Sequence, residues 1–339
     1  MKVTIIGAGA IGGLIGQRLA ATGEAQVSAL ARGATLAALR ERGWRVKQGE
    51  TLATGPVAAA HALEDAAKLG EQDLVVIAVK GPALAQVAAS VVPLLGPQTL
   101  VLPAMNGVPW WFCQGVPGFS AGESDGGSGG DATLTSVDPI GAIGAAIPLA
   151  NVIGCVVHAS ASTPEPGLVD HKMGRGLIIG EPGGGASERV QRLAALLERA
   201  GFEAKASENV RLDIWYKLWG NLTMNPVSAI TGATIDRLLD DPLVRDFCSA
   251  AMREAAAIGA KIGCAIDQSP EDRHQVTAKL GAFKTSMLQD VEANRPIELD
   301  ALVSVVREIG QRVSVPTPNI DALLGLTRLF GRVHGLYPQ

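Results

Sequence analysis

The chain has 339 residues, 47% of them hydrophobic and 18% charged, with a formal net charge of −4. That length allows two domains, each with its own core, and the mild acidity excludes a general attraction to nucleic acid or to an anionic membrane surface. Any anionic ligand must therefore be held by a few placed cations.

Cys113, Cys155, Cys248 and Cys264 form no CxxC and stand at no zinc-ligand spacing with the five histidines, which predicts reduced thiols and no metal site. The opening Met1-Lys2-Val3-Thr4-Ile5-Ile6 lacks the charged lead, apolar core and cleavage site of a signal peptide, so a cytoplasmic location is expected. The uncharged run from Pro139 to Ala161 is interrupted by Pro148 and several glycines and holds Asn151 and His158; it is a poor membrane span.

Lys2 to Ile6 is a short apolar, β-branched run suited to a buried parallel strand. Gly7-Ala8-Gly9-Ala10-Ile11-Gly12 follows at once, and Gly13 to Thr22 has helical composition closed by Gly23. Strand, GxGxxG and helix stand in the order of a dinucleotide fingerprint: the glycines permit a tight turn, backbone approach to a pyrophosphate and close helix packing, and the helix N-terminus faces the phosphates.

Gln26 to Ala31 reads as the second strand, whose carboxyl end should lie beside the adenosine ribose. An acidic residue there would bind a 2′-hydroxyl, but the position is Arg32, and a guanidinium suits a 2′-phosphate. NADPH/NADP is the expected cofactor. Asp73 to Lys80 and Leu100 to Gly107 repeat the pattern of an apolar strand leading to a polar turn. They put Lys80 at the carboxyl edge of the sheet and Asn106 near the nicotinamide, although either also fits an ordinary loop.

Residues 118–130 (GFSAGESDGGSGG) are too rich in glycine and serine to pack, and read either as a lid over the cofactor cleft or as a bland insertion. Apolar runs return at Val152 to Val157 and at Leu177 to Gly180, followed by an amphipathic helix from Ser187 to Ala200 and a last short strand from Phe202 to Lys205. From Ser207 onward nearly everything has a helical pattern, with breaks expected at Pro226, Pro242, Pro270, Pro296 and Pro316.

Within that half, Lys217, Asn221 and Asn225 recur at intervals of four, which stacks them on one helical face. A lysine among apolar neighbours, with carboxamides one and two turns on, can protonate a bound polar substrate while the amides orient it. A lysine whose stem snorkels along a surface fits the same pattern. In a second group, Ser286, Gln289 and Asp290 share a helical face and Glu298 follows beyond Pro296.

The N-terminal GAGAIG, the strand ending in Arg32, VKG at 79–81, MNG at 105–107, KLWGNLTMNPVSAIT from 217 and KTSMLQDVEANRPIELDAL from 284 together resemble the ketopantoate reductase family (2-dehydropantoate 2-reductases) over nearly the whole chain. The resemblance implies NADPH-dependent reduction of ketopantoate to pantoate. It implies Lys217 as general acid, Asn221, Asn225 and Ser286 as substrate contacts, and Glu298 as support for the ternary complex. It also implies Gly7 to Gly12, Arg32, Lys80, Asn106 and Glu298 as cofactor-site residues.

The expected architecture is α/β, with an N-terminal Rossmann-like parallel-sheet domain over 1–206 and a C-terminal all-helical domain over 207–339. The expected partner is a small 2-oxo acid, with no nucleic acid and no membrane, and the reading admits a homodimer. A same-mechanism reductase of another branched 2-oxo acid and a non-catalytic NADP-binding sensor are the alternatives; a sensor would need no proton donor.

Overall fold

The structure, a computed structural model, describes residues 1–117, 119 and 132–339. Apart from Phe119, the stretch 118–130 expected as a lid lies outside the described residues. The chain divides into two compact units, Met1–Met105 with Ile140–Asp213, and Asn106–Pro139 with Ile214–Gln339. Set beside the expected boundary at 206, the second unit also takes 106–139, and the division falls inside a long helix after Asp213.

The first unit holds β1 (Lys2–Ile6), α1 (Ala10–Ala21), β2 (Gln26–Leu30), α2 (Gly33–Arg42), β3 (Trp44–Gln48), β4 (Thr51–Gly55), β5 (Ala60–His61), β6 (Leu74–Ile77), α3 (Gly81–Val91) and β7 (Leu100–Pro103). It continues with α4 (Ala142–Ala146), β8 (Gly154–Glu165), β9 (Leu168–Gly180), α5 (Glu188–Arg199) and β10 (Glu203–Ala206). One sheet is wholly parallel in the order β5-β2-β1-β6-β7. Its central strands are buried on both faces, which is why Val3, Ile5, Ile6, Leu74, Val75, Val76 and Ile77 read as unbroken apolar runs.

A second sheet, β10-β9-β3-β4 with β8 beside β9, mixes parallel and antiparallel pairs. The sequence marks only its buried halves. β8 runs on to Glu165 and β9 starts at Leu168; the outer part of β8 is half-buried or exposed, and before Leu177 only Val169 and His171 of β9 are buried, so polar residues are tolerated at most of these positions.

α1 packs on the parallel sheet and also against β3, β4, β8 and β9. Two of its glycines serve that second face: a Cβ at Gly13 would come within 2.6 Å of Val169, and one at Gly16 within 2.8 Å of the Trp44 ring.

The second unit is helical: the long helix α6 (Val210–Thr231), which begins in the first unit, then α7 (Ile235–Asp240), α8 (Pro242–Lys261), α9 (Pro270–Ala278), α10 (Ser286–Glu292), a π-helical turn (Asp300–Ser304), α11 (Val305–Arg312) and α12 (Pro318–Val333). Pro242 and Pro270 open helices, where a missing N–H costs nothing.

Pro226 does not end α6, contrary to the expected break: the helix continues to Thr231 and stops at Gly232, whose φ is +71°. Proline removes one helical hydrogen bond, but Leu222, Val227 and Ala229 are all buried, so packing on both sides of the proline outweighs that loss. Among the described residues no helix is long and apolar enough to cross a membrane.

Candidate active site

In the first unit, the expected cofactor residues collect at the carboxyl edge of the parallel sheet. Ile6 pairs with Leu30 on one side and Ile77 on the other, so Gly7, Arg32 and Lys80 leave neighbouring strands close to one level. The strand order reverses at β1, and such switch points form ligand crevices.

Each glycine of the fingerprint has its own physical reason. Gly7 has φ +89°, and a Cβ there would lie 2.7 Å from Val79. At Gly12 a Cβ would strike the Gly7 carbonyl, whereas at Gly9, the N-cap of α1, nothing among the described residues stands within 4 Å. The backbone is thus closed behind Gly7 and Gly12 and open over Gly9, where the first-turn N–H groups have no intrahelical acceptor. Ala8 is buried, while Ala10 and Ile11 are half-buried in the first turn.

Arg32 is exposed at the N-cap of α2, and no hydrogen bond or ion pair engages its side chain among the described residues. An open glycine cradle and an exposed guanidinium at the next strand end leave room for a dinucleotide at this edge. Lys80 is half-buried at the N-cap of α3.

In the second unit, α6 carries the lysine stripe. Trp215 and Trp219 fix the helix by donating their indole N–H groups to the carbonyls of Ala255 (3.2 Å) and Met252 (2.7 Å) on α8. Gly259 leaves room for the Trp215 ring, and Phe112 stacks on it at 5.9 Å. That anchoring turns Lys217 and Asn221 to a different face, where both are half-buried.

Lys217 Nζ donates to Asn106 Oδ1 at 2.8 Å. Asn225, 5% exposed, donates to the Ser286 hydroxyl at 3.5 Å, with Ser286 exposed at the first position of α10. The amide of Asn221 has no hydrogen bond among the described residues. Glu298 is half-buried, two residues before the π-helical turn.

The structure therefore joins Lys217 to Asn106 and Asn225 to Ser286. Two supports escape the sequence reading. The N–H of Val108 donates to the Ala301 carbonyl at 2.8 Å, which holds the turn after Asn106. The turn itself depends on Gly107, at φ +84°, where a Cβ would collide with that same carbonyl. The glycine in MNG was the only available signal. Among the described residues no group of three His, Cys, Asp or Glu could hold a metal ion.

Two family models match the chain: "Ketopantoate reductase PanE/ApbA" over residues 3–109 and "Ketopantoate reductase PanE/ApbA C terminal" over residues 209–330. The chain is 42% identical to the 2-dehydropantoate 2-reductase of Mesorhizobium japonicum, covering 99% of this chain and 100% of that one. It is 28% identical to the corresponding enzyme of Halobacterium salinarum, over 98% and 99% of the two chains. Among solved structures, a Ralstonia solanacearum MolK2 chain assigned as a ketopantoate reductase is 55% identical, with a TM-score of 0.91 over 99% of both chains.

Proposed function

This chain belongs to the ketopantoate reductase family and is an oxidoreductase, and on that premise we propose that it reduces ketopantoate to pantoate with NADPH, a step toward pantothenate and coenzyme A, with Lys217 as general acid. The observation that carries the mechanism is the 2.8 Å hydrogen bond from Lys217 Nζ to Asn106 Oδ1. It fixes one N–H of the ammonium and so aims the group.

A nicotinamide, when bound, would supply the hydride for the substrate's carbonyl carbon. Negative charge then grows on the carbonyl oxygen, and a positioned ammonium both stabilises that charge and delivers a proton to it. Asn221, Asn225 and Ser286 offer amides and a hydroxyl to the substrate's carboxylate and hydroxyl, and Glu298 supports the ternary complex. Gly7 to Gly12 would hold the pyrophosphate, Arg32 the 2′-phosphate, and Lys80 and Asn106 complete the cofactor's surroundings.

The test is a steady-state assay of NADPH oxidation with a panel of 2-oxo acids. The highest kcat/KM is expected for ketopantoate. A higher value for another branched 2-oxo acid would reject the substrate while keeping the chemistry, and no turnover with any of them would reject catalysis in favour of a sensor.

A further inference from the structure

The C-terminal residues fold back onto the segment that carries Glu298. The Leu336 carbonyl accepts from Ile297 N–H at 3.0 Å, and the N–H groups of Leu336 and Tyr337 both donate to the Gly331 carbonyl, at 2.7 and 3.2 Å. Gly331 is required there, because a Cβ would lie 2.7 Å from that of Tyr337. The Tyr337 hydroxyl donates to Asp300 Oδ1 at 2.6 Å, and Ser304 Oγ donates to the same oxygen at 2.9 Å. Burial and the adjoining Asp300 carboxylate push the phenol up to about 12, so it stays protonated and keeps donating.

Asp300 begins the π-helical turn, in which Ser304 N–H reaches back to the Leu299 carbonyl at 3.3 Å. Such turns are rare and occur often at functional sites. Here the turn presents the Ala301 carbonyl sideways to Val108 N–H at 2.8 Å, outside the helical ladder. Val108 follows Gly107, and Gly107 follows Asn106, the acceptor for Lys217 Nζ. An unbroken series of contacts thus runs from the C-terminal tail to the lysine ammonium, all of it within one compact unit.

We propose that Tyr337 is a positioning residue for proton transfer: its bond to Asp300 fixes the π-helical turn, and the turn fixes Asn106 against Lys217. The proposal rests on Lys217 as the general acid. Tyr337 touches no reacting atom, and its effect reaches the chemistry through Asn106. Because misplacement by about 1 Å can cost on the order of 100-fold in rate, a loosened turn that still folds should lower kcat without weakening either ligand.

The experiment is a double-mutant cycle on the full chain. Tyr337→Phe keeps the ring against Gly331 and removes only the hydroxyl. It should lower kcat about tenfold, with KM for ketopantoate and the Kd for NADPH changed less than about twofold, at temperatures well below the Tm of each variant. Asp300→Asn should move kcat in the same direction. Introduced into Asn106→Ala, Tyr337→Phe should cost less than about twofold more, because the relay is already cut.

Equal losses in the two backgrounds, or a lowered Tm with kcat unchanged, would overturn the proposal. Lys217→Ala run alongside separates the two claims. Retained turnover in that variant removes the general-acid reading and the proposal with it, whereas a Lys217-dependent enzyme indifferent to Tyr337→Phe loses the tail's role alone.

Discussion

Lys217 and Asn106 are 111 positions apart in the chain, yet the lysine ammonium and the asparagine carboxamide oxygen meet at 2.8 Å. The bond gives one N–H of the ammonium a fixed direction.

Lys217→Ala should therefore lower turnover with ketopantoate by at least about 100-fold, the lower range for general acid catalysis. NADPH affinity, read by fluorescence titration, should change little. Near-normal turnover would rule out the mechanism.

Arg32→Ala should separate the two nicotinamide cofactors. Its guanidinium is engaged by nothing among the described residues, and charge-assisted hydrogen bonds are worth about 1.5–3 kcal/mol. A loss of roughly 10- to 100-fold in NADPH affinity is expected, with NADH affected much less. Equal losses for both cofactors would reject a 2′-phosphate clamp.

Gly107→Ala should be far more harmful than Gly115→Ala, although both glycines have positive φ, +84° and +75°. Each substitution pays roughly 1–2 kcal/mol for a left-handed backbone. Only Gly107 adds a collision, with the Ala301 carbonyl, while among the described residues nothing stands within 4 Å of a Cβ at Gly115. Thermal unfolding and kcat measured on both variants check this: Gly107→Ala should lose stability and turnover, Gly115→Ala a little stability alone.

The acid side of the stability curve should depend on Glu308. Its carboxylate, with the side chain 12% exposed, accepts from the N–H groups of Thr135 and Ser136 at 2.8 Å each and pairs with Arg312 at 2.6 Å. Burial by itself would raise its pKa, but these hydrogen bonds and the Arg312 charge outweigh burial and hold the carboxyl below the ordinary value of 4.5. A depressed folded pKa means that the unfolded chain takes up the proton first. The stabilisation is thus complete above 4.5 and is lost as pH falls through the lower folded value. Glu308→Gln should cost about 2 kcal/mol at neutral pH and flatten the slope of Tm against pH below about 4.5; an unchanged slope would contradict the assignment.

What the sequence determined by itself was whatever chemistry confines to a few neighbouring residues. The β1–GxGxxG–α1 unit is local: apolar β-branched residues make a buried strand, and glycines at fixed offsets make the turn. Helical spacing alone puts Lys217, Asn221 and Asn225 on one stripe. The parallel sheet of the first unit was legible for the same reason, since its central strands are apolar throughout.

Only the tertiary structure decided the rest. The outer halves of β8 and β9 are paired through backbone hydrogen bonds, and before Leu177 only Val169 and His171 of β9 are buried, so the hydrophobic pattern is too short to announce them. Pro226 ought to end α6 by its local chemistry, and burial of Leu222, Val227 and Ala229 overrides it. The Asn106–Lys217 bond, the π-helical turn that seats it and the Tyr337–Asp300 bond behind that turn join residues far apart in sequence. A contact of that kind has no period and no spacing; it exists because packing brings two distant polar groups within reach, and burial makes it costly to leave them unsatisfied.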